Sequence, residues 1–133
     1  MTTNYQNTLI TVAEDSPTDR AVLPDLSKQS VASQQYQMIT DAPYVYTSDD
    51  VIFARVAERD GIAETDRATA KEQYFSMGRA CLRTSPLAKQ YGWGIHHDEE
   101  GKIALVAMES DAYAALMADD AVKKYRAMRR SRS

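Results

Sequence analysis

The chain has 133 residues, 44% apolar and 26% charged, with a net charge of −3 at pH 7. That is the size of one domain with a single core, which buries roughly two thirds of the surface its unfolded chain exposes. Six cations at the C-terminus (Lys123, Lys124, Arg126, Arg129, Arg130 and Arg132) have no acid among them, and setting them aside leaves −9 for the rest; this is not the uniformly basic surface that drives nucleic-acid binding by phosphate neutralisation.

Thr8 to Ala13, TLITVA, is rich in β-branched residues and stops at Asp15-Ser16-Pro17, so it reads as a first strand. Ser16 to Ser27 is a loop punctuated by Pro17 and Pro24. Ser30 caps a helix with Ala32, Tyr36 and Ile39 on one face; it must end before Pro43, whose ring pushes the preceding residue out of the helical region. In Thr47-Ser48-Asp49-Asp50 a hydroxyl accepts first-turn N–H groups and the carboxylates meet the positive end of the dipole. Ile52, Phe53, Val56 and Ala57 form that helix's buried stripe, and Gly61 supplies its left-handed stop. Ala70, Tyr74 and Met77 mark a weaker third helix ending at Gly78. Ser85-Pro86 starts a short helical turn closed by Gly92. Trp93 to Asp98 and Lys102 to Glu109 form a hairpin about Glu99-Glu100-Gly101. The second arm is apolar on both faces, which suits a strand covered on two sides or inserted centrally, and it is assigned to the middle of the sheet. Ser110 caps a helix through Met117; Ala121 to Met128 fits either an extension of that helix or a final strand. The expected fold is a single α+β domain over residues 1–133, with helices packed on a mostly antiparallel sheet of three or four strands and a short basic tail from about residue 129.

A lone cysteine, Cys81, cannot close an intramolecular disulfide, and MTTNYQNTLI lacks the basic and apolar regions of a secretory signal; both point to the cytoplasm. The run Ile103 to Met108 is far short of the ~18 residues of a membrane span, so no membrane role is expected.

Three blocks, TTNYQNTLITVAEDSP, YVYTSDDVIFARVAERDGI and CLRTSPLAKQYGWGIHHDEEGKIALVAMES, together resemble a small family of bacterial proteins classed only as a domain of unknown function. The resemblance spans nearly the whole chain and implies a bacterial single-domain protein. It carries no catalytic residue or cofactor with it.

Chemistry must then be weighed on the residues. Cys81 stands between Arg79 and Arg83, cations that stabilise a thiolate, and His96 or His97 could serve as its base in an enzyme or redox sensor; the competing reading is a small buried hydrophobe. Along a strand only His96 with Asp98, or His97 with Glu99, face the same way, and two ligands do not make a structural metal site, so no metal is expected. No cofactor motif is present. Tyr36, Tyr44 and Tyr46 beside Asp49 and Asp50 fit helix packing and capping better than a polar pocket.

The remaining feature is a charge pattern: from Gln73 to His97 there is no acid. Within that window Arg79, Arg83, Thr84, Ser85 and Lys89 offer donors at the start of a helical turn, and Tyr91 and Trp93 offer an aromatic wall, a set suited to phosphate or carboxylate. The alternative is that Ser85 is only a cap, Trp93 only core, and the arginines pair with acids such as Asp49 and Asp50. The leading expectation is a non-enzymatic binding module for a small anionic ligand or a protein partner. A cysteine-dependent enzyme or redox sensor using Cys81 comes second, and a nucleic-acid accessory protein third.

Overall fold

A computed structural model describes residues 1–130. The end of the expected basic tail, Arg132 included, lies outside the described residues. The elements in chain order are β1 (Thr8–Thr11), α1 (Val31–Asp41), α2 (Ser48–Arg59), α3 (Arg67–Tyr74), α4 (Pro86–Gln90), β2 (Trp93–His97), β3 (Ile103–Ala107), α5 (Asp111–Ala118) and β4 (Lys123–Arg126). The fold is a small α+β domain on a four-stranded sheet in the order β3-β2-β1-β4. β1 and β3 run antiparallel to β2, while β4 runs parallel to β1, with Thr8 facing His97 on one side and Lys123 on the other.

Local chemistry accounts for most of the element boundaries. Ser30 accepts the Ser33 N–H while the Ser33 hydroxyl accepts from Ser30 N–H, and Thr47 and Asp50 make the same reciprocal pair at the start of α2. Such boxes satisfy two orphan donors each, and losing the cap typically costs ~1 kcal/mol. Ser85 and Ser110 cap α4 and α5. Gly61, Gly92 and Gly101 have positive φ where α2 ends, α4 gives way to β2, and the hairpin turns. At Gly92 the chain also passes Arg20 so closely that a β-carbon would lie 2.4 Å from the Arg20 carbonyl oxygen.

The main core lies on one sheet face, where Ile10, Ile95 and Ile103 meet Ile39 of α1, Val51 of α2, and Leu82 and Leu87 around α4. Each large aliphatic side chain fully buried there contributes roughly 1.5–3 kcal/mol. A smaller cluster of Phe53, Val56 and Ala57 is covered by Ile62, Ala70, Tyr74 and Phe75.

Three expectations are corrected or resolved. Ile103–Ala107 is an edge strand, not a central one; its two apolar faces are explained by α1 on one side and α5 on the other. The third helix stops at Tyr74, short of Gly78, and buries no residue fully, because its weak stripe packs only on the satellite cluster. Lys123–Arg126 is a strand, with Val122 and Ala127 buried at its two ends.

Candidate functional site

The N-terminal segment builds the site. Thr2 Oγ1 donates to Asp49 Oδ2 at 2.6 Å, and Thr3 donates its N–H (2.7 Å) and hydroxyl (2.6 Å) to Asp49 Oδ1. Asp49 N–H donates to Asn4 Oδ1 at 2.9 Å, and the Thr3 hydroxyl lies 2.9 Å from that of the buried Ser48. The TTNY and YTSDD blocks are therefore one structure. Both acids are expected at the helix dipole; Asp50 does close the capping box and pair with Lys71, but the Asp49 carboxylate binds the N-terminal segment. Burial alone would push the Asp50 carboxyl up, and the Lys71 and Thr47 hydrogen bonds outweigh it and hold it below the usual range.

This fastening lays Tyr5 across the end of the sheet. Its ring meets His97 edge-on at 5.4 Å and stacks on Tyr125 at 5.2 Å and 30°, and its hydroxyl lies 3.3 Å from Cys81 Sγ. Burial, then the Cys81 contact, pushes the phenol up to about 12, against an opposing field from Arg83. On one side of Tyr5 opens a cavity of about 600 Å³ whose wall includes Gln6, Asn7, Glu100, Lys123 and Tyr125. On the other, a cavity of about 230 Å³ includes Arg79, Cys81 and Thr3. Tyr5 carried no signal of its own in the sequence, since its partners are 76 residues away and more.

The expected ligand residues are only partly gathered here. Arg79 lines the smaller cavity, with its guanidinium 3.9 Å over the Tyr74 ring and Nε donating to Tyr74 O. Arg83 Nε donates to Arg126 O at 2.7 Å, and Arg83 O accepts from Met128 N–H at 2.8 Å, so the acid-free window and the basic C-terminal strand lie side by side. Neither arginine pairs with Asp49 or Asp50 among the described residues. Thr84 donates to Cys81 O, and buried Ser85 caps α4 while donating to Gln35 Oε1 at 2.6 Å. Trp93 donates to Val22 O and its ring packs against Tyr36. Lys89 and Tyr91, at the end of α4, line neither cavity beside Tyr5.

Neither histidine hydrogen-bonds the thiol among the described residues. His96 Nδ1 lies 2.8 Å from the Tyr44 hydroxyl, and burial, opposed by Asp98, holds its pKa below the ordinary value. Tyr44 keeps that contact from a left-handed backbone, φ 59°, a costly conformation for a bulky residue. His97 is fully buried; Nδ1 is 3.2 Å from Ile95 O, and Nε2 has no hydrogen-bond partner among the described residues. Burial lowers its pKa to about 4. The hydrogen-bond partner of Cys81 Sγ is thus a phenol, which does not act as a base toward a thiol at neutral pH. Among the described residues no three of His, Cys, Asp and Glu cluster as metal ligands, and no helix is long and apolar enough to cross a membrane.

No curated protein and no solved structure matches the chain. A family model described as "Family of unknown function (DUF6157)" matches residues 1–133.

Proposed function

The chain belongs to that family of unknown function, and we propose that it is a non-enzymatic binding module that holds a small anionic ligand, a phosphate or carboxylate, in the cavity beside Tyr5. One observation carries the reading. A cavity of about 600 Å³ is lined by Lys123, Gln6 and Asn7, whose side chains have no hydrogen-bond partner among the described residues, next to the stacked Tyr5–Tyr125 pair. That volume falls within the roughly 300–1,000 Å³ of small-molecule sites, which combine an aromatic wall with a few convergent polar groups. The one acid on the wall, Glu100, is 3.2 Å from Lys102 and partly neutralised. Arg83, close enough to act on the Tyr5 phenol, and Arg79 on the far side add positive field from the acid-free window. The reading places the protein in the cytoplasm, where the free thiol of Cys81 stays reduced.

The test is a thermal-shift comparison in one buffer, with millimolar phosphate or citrate added to wild type and to Lys123→Ala. A ligand that binds only the folded state raises the melting temperature by mass action. Wild type is expected to respond and Lys123→Ala not to. Equal responses would overturn the reading, because stabilisation by anion exclusion does not depend on one lysine.

A further inference from the structure

We propose that the outer edge of β4 docks an extended, acidic segment of a partner protein, which adds to the sheet as a further strand. Lys123 N–H donates to Asn7 O at 2.8 Å and Ala127 N–H to Thr11 O at 2.9 Å. In a parallel pair bonding alternates along the strand, so the Lys124 and Arg126 N–H groups point away from β1. Neither bonds another described residue. The chain's own backbone occupies only the upper part of this edge, where Arg83 holds Arg126 O and Met128 N–H. The opposite edge is closed at its start: Tyr44 N–H donates to Ile103 O, Ile103 N–H to Tyr46 O, and Thr47 bridges Lys102.

Charge selects the occupant. Lys123, Lys124 and Arg126 stand on the open strand with Arg83 against it, and no acid lies between Ala121 and Arg130. Like charges on a sheet edge repel a similar strand, and β4 of a second copy would bring lysines against lysines. An acidic strand meets the reverse situation: main-chain hydrogen bonds give affinity and side-chain complementarity gives specificity. A nucleic acid fits less well, since it makes no use of a strand's outward N–H groups; Glu14, 3.7 Å from Arg126, and the Asp119 carbonyl, which accepts from Lys124 Nζ, are contacts that either occupant would have to share. The inference goes beyond the small-ligand reading and does not need the cavity to be occupied.

The experiment titrates the full chain into a fluorescein-labelled peptide of alternating glutamate and valine and follows anisotropy. Saturable binding that weakens with salt is expected. Lys124→Ala and Lys124→Pro remove the same charge, but only proline removes the outward N–H, so the proline variant should bind about tenfold or more weaker than the alanine variant. In wild type the peptide should also slow amide exchange at Lys124 and Arg126, a readout that stands if the proline variant fails to fold. Equal binding by the two variants with no such protection overturns the proposal. So does the absence of any binding, or tighter binding of a single-stranded RNA oligonucleotide than of the peptide. A folded Lys124→Pro should keep its phosphate response, which separates this result from failure of the cavity reading.

Discussion

Tyr113 of α5 lies against Gly94 of β2 so closely that a β-carbon on the glycine would sit 2.6 Å from Cε2 and 3.0 Å from Cδ2 of the ring. The ring cannot swing clear, because its hydroxyl accepts the Val12 N–H at 3.1 Å and Leu9 Cδ1 fills the space beside it. Gly94→Ala should therefore destabilise the fold by about 1–3 kcal/mol, the cost of overpacking a filled site. Chemical denaturation checks this. The double variant with Tyr113→Ala should recover part of the loss, since the clash then has no partner.

His97 titrates near 4 when folded and near 6.5 when unfolded, chiefly because burial penalises its charged form. Below pH 6.5 the unfolded chain takes up a proton that the folded chain refuses, so the stability present above 6.5 falls steadily until pH 4, by on the order of 3 kcal/mol. His97→Leu, which also removes the buried Nε2, should make the profile shallower across that window and leave only the share of His96, whose pKa burial also holds below the ordinary value. Carboxylates held low, such as that of Asp50, lose their contribution only at lower pH, so the difference between variant and wild type isolates the histidine. Parallel profiles from pH 7 to 4 would contradict the assignment.

Asp49 ties the N-terminal segment to the start of α2. Its carboxylate receives Thr2 and two donors of Thr3, so Asp49→Ala should cost roughly 2–4 kcal/mol, as charge-assisted hydrogen bonds are lost together. Since Thr2, Thr3 and Asn4 wall the small cavity around Cys81, the variant should also expose the thiol. Labelling of Cys81 by a disulfide reagent is expected to be several times faster than in wild type, with Thr3→Val intermediate.

What could be read in advance follows the range of each interaction. Ser30, Thr47, Ser85 and Ser110 declare their helices because a cap and its N–H partner lie two or three residues apart. The hairpin is equally local. β3 misled because an edge strand sheathed by α1 and α5 has the same two-sided apolar pattern as a central strand. β4 left two options open because Lys-Lys-Tyr-Arg has no hydrophobic alternation; its pairing with β1 comes from the far end of the chain. Of the candidate site, the acid-free window marked Arg79, which lines only the smaller cavity, while Tyr5, Lys123 and Asp49 are placed there by partners dozens of residues away.

The sheet order also bears on how the protein is made. β1 leaves the ribosome first, yet both of its neighbours, β2 and β4, come from the last third of the chain. At the usual pace of translation, about 5–20 residues per second, a nascent chain carries that apolar strand unpaired for several seconds or more. The sheet is complete only once β4 has been made and has left the ribosome. A ribosome stalled before residue 123 would hold β1 with one flank open, and that flank is the place for a chaperone or a like strand to attach.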